Sequence, residues 1–76
     1  KVEEPALQEE VRTVLQSAIE ALPPDYQTAL VLHELEGLSN PEIARSLGLS
    51  LPAVKSRIHR SRLFLRQRLS HYMVQS

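Results

Sequence analysis

The stretch Ser39–Ile58, SNPEIARSLGLSLPAVKSRI, decides the fold. Ser39 and Glu42 stand at the spacing of an S-x-x-E capping box, in which each side chain satisfies a backbone N–H that the first turn of a helix leaves free. Pro41 falls in that first turn, where no N–H is needed. Ile43, Ala44 and Leu47 share one helical face, so a short helix is expected from about Asn40 to Leu47. Gly48 then supplies a left-handed C-cap, Leu49 plugs the turn, and Ser50 caps the next helix. A small residue (Ala44) lets two helices cross closely and Val54 and Ile58 lock the second onto the first. The stretch reads as a helix-turn-helix.

Working outward, the two glycines and five prolines punctuate the rest of the chain. A first helix is expected over about residues 6–22, with Leu7, Val11, Val14, Leu15, Ala18 and Leu22 on its inner face. Pro5 suits its first turn and Pro23 ends it. A second is expected over about 24–36. Its centre, Ala29-Leu30-Val31-Leu32, is apolar all round and suits a helix surrounded by the others, with Gly37 as its stop. The last helix is expected over about 51–72, with Leu51, Val54, Ile58, Ser61, Leu65, Leu69 and Tyr72 in one stripe toward the core. Residues 1–76 are thus expected to form a single all-α domain, four helices ending in a helix-turn-helix, without winged elements.

A chain of 76 residues buries only about 60% of its unfolded surface and has no room for a deep catalytic cleft. It contains no cysteine, so neither disulfides nor thiolate metal sites hold it together, and a reducing cytoplasmic setting is the expectation. No apolar run is long enough to span a bilayer, and a membrane partner is not expected. The chain begins at Lys1, which suggests a fragment of a longer protein.

A net charge of zero conceals two opposite halves. Residues 1–42 carry two basic residues against nine acids, net −7; residues 43–76 carry seven basic residues and no acid, net +7. Positive charge segregated onto one element is the footprint of a polyanion-binding face. Opposite the core stripe, the helical wheel places Pro52, Ala53, Ser56, His59, Arg60 and Leu63. Lys55, Arg62 and Arg66 flank this strip on one side, Arg57 and Arg68 on the other. Such a helix fits the major groove, with Lys55, Arg57, Arg62 and Arg66 on the DNA backbone and Ser56, His59 and Arg60 at base edges. Arg60 carries the sharpest expected discrimination, because arginine binds guanine O6 and N7 bidentately. Arg68, near the helix end, is not expected at the DNA.

His33, His59 and His71 have no i,i+3 or i,i+4 pairing, so no metal is expected, and no other cofactor or small-molecule substrate. Ser56 and His59 lack an orienting carboxylate on their helix, and no enzymatic activity is expected.

From Ala21 to Leu69 the chain resembles region 4, the C-terminal DNA-binding domain, of bacterial sigma-70-type RNA polymerase sigma factors, particularly the extracytoplasmic-function group. The resemblance rests on Ala21-Leu22-Pro23, on Leu35-Glu36-Gly37, and on Val54-Lys55-Ser56-Arg57-Ile58-His59-Arg60-Ser61-Arg62, which is similar to the V-K-S-R-L-x-R-A-R signature of that group. It implies binding of the minus-35 promoter element within an RNA polymerase holoenzyme, with bases read from Ser56, His59 and Arg60 and with Lys55, Arg57 and Arg62 on or near the backbone. It also implies docking on the polymerase flap tip and sequestration by an anti-sigma factor. Two departures stand out: Pro52 replaces the usual glycine, and Leu63-Phe64 are bulkier than the usual residues there, which points them to a partner rather than to DNA.

Two other readings remain open from the sequence. Gly37-Leu38-Ser39-Asn40-Pro41-Glu42-Ile43-Ala44 fits a LuxR-type response-regulator output domain almost as well, although the continuation Ser61–Arg66 does not. A sigma mimic that only captures an anti-sigma protein is the second.

Overall fold

The computed structural model describes residues 5–75, with the side chains of residues 8–72. Among these residues the chain forms helices α1 (Pro5–Glu20), α2 (Pro24–Glu34), α3 (Asn40–Leu47) and α4 (Leu51–Gln75), and no strand. With no proline after Pro52 and no glycine after Gly48 to stop it, α4 runs past the expected Tyr72. Its 25 residues at about 1.5 Å each form a spine nearly as long as the 41 Å molecule. α1, α2 and α3 all pack on α4, and α3 also packs on α2.

The helix-turn-helix stretch folds as its sequence dictates. The Ser39 N–H donates to Glu42 Oε1 at 2.7 Å and the Glu42 N–H donates to Ser39 Oγ at 3.3 Å, closing the capping box. Gly48 is left-handed, φ +68°, and the Leu49 N–H returns to the Ala44 carbonyl at 2.9 Å. The Ser50 hydroxyl accepts from the Ala53 N–H at 3.2 Å and starts α4. Ile43, Val54, Ile58 and Ala29 form the buried core, with Leu32, Leu38, Ala44, Leu47 and Leu49 packed around it. Burying Ile43, Val54 and Ile58 contributes about 1.5–3 kcal/mol each.

The first two helices end earlier than their periodicity suggests, for local reasons. α1 stops at Glu20 because the residue before Pro23 is biased out of the helical region; Leu22 turns inward instead and is buried. The Ile19 carbonyl at this end accepts both the Leu22 N–H and the Gln27 side-chain amide, each at 3.1 Å. α2 stops at Glu34, where the N–H groups of Leu35 and Glu36 share the Val31 carbonyl. Gly37, φ +75°, then sends the Leu38 N–H back to the Leu32 carbonyl at 3.0 Å, which seats Leu38 on the core.

Burial corrects the expected inner faces in several places. Ala29 and Leu30 are buried, but Val31 and Leu32 are half-exposed and Leu35 is 73% exposed. α2 is covered on two sides by α3 and α4 rather than surrounded. Val11 is 38% exposed, since α1 packs chiefly on α4 and its first turns extend along only that one neighbour. Leu51 is 37% exposed at the very start of α4, where no helix overlies it. Leu7 lies outside the residues whose side chains are described. The remainder of the α4 stripe faces inward: Val54, Ile58 and Ser61 are buried and Leu65, Leu69 and Tyr72 half-buried.

Candidate nucleic-acid interface

Burying that stripe leaves the opposite side of α4 in solvent. Ser56, His59 and Arg60 are exposed together on one strip, with Lys55, Arg62 and Arg66 exposed beside them. Pro52 and Leu63 are exposed on the strip as well, whereas Ala53 is half-buried. Arg57 differs from the other cations: its side chain is only 26% exposed.

The cations have different surroundings. Lys55, Arg60 and Arg66 enter no ion pair among the described residues. Arg57 Nη1 lies 4.0 Å from Asp25 Oδ2, at the limit of an ion pair, and the Asp25 carboxylate is mostly in solvent. Arg62 donates to Glu34 Oε2 from both Nε, at 3.0 Å, and Nη2. This hydrogen bond holds the Glu34 carboxyl below the usual glutamate range, against a smaller opposing effect of desolvation. Arg60 Nη1 donates to the Tyr26 hydroxyl at 3.3 Å. Arg68 lies over the Phe64 ring, 4.8 Å from its centroid, a cation–π contact that draws its guanidinium along the helix end.

The acids Asp25 and Glu34, both on α2, are functional neighbours that reading α4 alone misses. No acid on α4 supplies partners at i,i+4 spacing, yet tertiary packing supplies two from another helix. Tyr26 is missed as well, because nothing in the sequence of α2 sets its hydroxyl apart from the polar residues around it.

On the other side of α4 lies a groove of about 260 Å³ between α1, α2 and α4. Leu15, Ile19, Leu30, Val31, Leu35 and Leu65 line it, with Glu34 and Arg62 at its edge. The expected site residues thus fall on or beside the cationic strip, and the apolar groove is a second surface, not foreseen from the sequence, that shares Arg62 with it. Among the described residues no group of three or more histidines and acids is arranged to hold a metal, and no helix is long and apolar enough to cross a membrane.

The family model for sigma-70, region 4, matches residues 12–65. The chain belongs to this family. The matched span covers most of α1, the whole of α2 and α3, and α4 as far as Leu65, so both surfaces lie within it almost entirely. Among curated proteins the region 4 chain is similar to the ECF RNA polymerase sigma factor SigE of Mycolicibacterium smegmatis, 48% identical over 58 residues, covering 76% of this chain and 23% of the relative. It is likewise similar to the ECF RNA polymerase sigma-E factors of Escherichia coli and Salmonella typhimurium, each 45% identical over 56 residues, covering 74% of this chain and 29% of the relative. The chain therefore spans about a quarter of the length of these relatives. Of the two helix-turn-helix families that the Gly37–Ala44 segment fits, the match selects sigma region 4 over the LuxR type.

Proposed function

We propose that residues 1–76 are the region 4 unit of a longer, cytoplasmic extracytoplasmic-function sigma factor, and that they bind the minus-35 promoter element within an RNA polymerase holoenzyme. One observation carries the reading: on α4 the apolar stripe is buried while Ser56, His59 and Arg60 stand exposed between cations. A helix pinned in this way enters the major groove without backbone rearrangement, so the ordering cost of binding is confined to side chains.

The roles follow from chemistry. Lys55 and Arg66 are free to neutralise phosphates, and Arg57 and Arg62 do so after yielding Asp25 and Glu34. Ser56 and His59 make permissive contacts at base edges, and Arg60 pairs with a guanine. The domain contributes binding rather than catalysis. The groove of Leu15, Ile19, Leu30, Val31, Leu35 and Leu65 suits an apolar helix, and the polymerase flap tip is its proposed occupant. An anti-sigma factor that covers either surface would silence the domain.

Footprinting of holoenzyme carrying the full-length protein tests the reading directly, with protection expected at the minus-35 element. Promoter affinity should fall steeply with salt, each phosphate contact adding about −0.9 to the slope of log affinity against log salt. Arg60→Ala should flatten preference at one base position, whereas Arg57→Ala should weaken all sequences alike. Equal, sequence-independent effects of both on a promoter panel would refute the assignment of roles.

A further inference from the structure

The first turn of α2 meets α4 at three points within a single turn of that helix. Asp25 lies 4.0 Å from Arg57. The Tyr26 carbonyl accepts from Ser61 Oγ at 3.2 Å, and the Tyr26 hydroxyl accepts from Arg60 Nη1 at 3.3 Å. Ser61 is fully buried, and its single hydroxyl proton is shared between the Tyr26 carbonyl and the Arg57 carbonyl of its own helix, the closer acceptor at 2.7 Å. A residue as small as serine lets the two backbones approach, so the main chain of Tyr26 rests directly on α4. The half-buried Tyr26 ring is therefore held at a fixed place relative to the exposed strip.

Arg60 is the long, exposed member of that strip. A free arginine side chain samples many rotamers and loses that freedom when it binds a base. A hydrogen bond already present in the unbound protein removes part of the loss. The partner's charge decides whether such a bond helps. Glu34 on Arg62 cancels the charge it holds; the Tyr26 hydroxyl is neutral, so it orients the Arg60 guanidinium and leaves its positive charge available. It also occupies one of five N–H donors and leaves the others for a bidentate contact.

We propose that Tyr26 is a positioning residue for base recognition: it aims Arg60 from α2, and so sharpens sequence preference at the position Arg60 reads. This rests on Arg60 being a base reader, as proposed above.

The test uses holoenzyme carrying the full-length protein with Tyr26→Phe, Arg60→Ala or both, and a promoter panel in which each minus-35 position is varied in turn. Phenylalanine keeps the ring and its packing and removes only the hydroxyl. Arg60→Ala should abolish preference at one position. Tyr26→Phe should reduce preference at that same position about two- to tenfold, the range for loss of one hydrogen bond, and should add nothing in the Arg60→Ala background. A Tyr26→Phe effect that is equal for all sequences, falls at another position, adds in full to Arg60→Ala, or is absent overturns the positioning role while the promoter reading stands. Unchanged preference in Arg60→Ala overturns the base-reading role itself, and the positioning role with it.

Discussion

Glu34→Gln isolates a competition built into the proposed interface. In the free domain Arg62 makes two hydrogen bonds to the Glu34 carboxylate, with side chains 51% and 45% exposed. For Arg62 to reach a phosphate, that pair must open. Pairs this exposed are worth about 0.2–1 kcal/mol after solvent screening, so opening weakens DNA binding by about 1.4- to 5-fold. Replacing the carboxylate by an amide removes the cost without removing the arginine. Glu34→Gln should therefore bind promoter DNA about 1.4- to 5-fold more tightly at an unchanged salt slope, whereas Arg62→Ala should make the slope shallower by about 0.9. In the Arg62→Ala background the amide should give no gain. The measurement is fluorescence anisotropy of promoter DNA on preassembled holoenzyme across a salt series, with core-polymerase affinity titrated separately because Glu34 also borders the apolar groove. Weaker binding by Glu34→Gln at equal core occupancy, or an unaltered slope in Arg62→Ala, would refute the view that Arg62 changes partner on DNA.

Three further expectations concern the scaffold and its response to pH. Ile43→Ala removes a fully buried side chain at the α3–α4 crossing and should cost about 2–5 kcal/mol in urea unfolding, against less than about 0.5 for Leu35→Ala at a 73% exposed position; similar losses at both would mean that the core is misplaced. Gly48→Ala adds a Cβ that meets nothing within 4 Å, so its cost, about 1–2 kcal/mol in the same assay, comes from the left-handed backbone alone, and Gly48→Asn should recover part of it. The Glu42 carboxyl is held below its ordinary range chiefly by the hydrogen bond from the Ser39 N–H, and that of Glu34 by Arg62. Because both are lowered on folding, the stability they add is present above the ordinary glutamate range and is lost as pH falls through the lowered values; Glu42→Gln and Glu34→Gln should each flatten the acid limb of a melting-temperature profile, and an unchanged limb would exclude these two groups as its source.

The helix-turn-helix was legible because its signals are local. A capping box closes over four residues, a left-handed turn needs a glycine where the chain reverses, and the spacing of Val54, Ile58 and Ser61 sets which side of α4 is buried. The exposure of Ser56, His59 and Arg60 follows from that same helical period. Helix ends were less legible: α1 and α2 stop early because Pro23 and Gly37 act on the residues before them, and periodicity alone does not register that influence.

An all-α chain, the placing of its four helices, the turn between α3 and α4, and a cationic strip opposite a buried stripe are all written in the order of residues, since each arises from interactions within one helix or across one turn. Only the tertiary structure decided which cations are free. Asp25, Tyr26 and Glu34 lie 32, 34 and 28 residues from the arginines they touch, a separation at which no periodicity relates partners. Packing of α2 across α4 alone gives Arg57 and Arg62 an acid each and gives Arg60 a neutral hydroxyl.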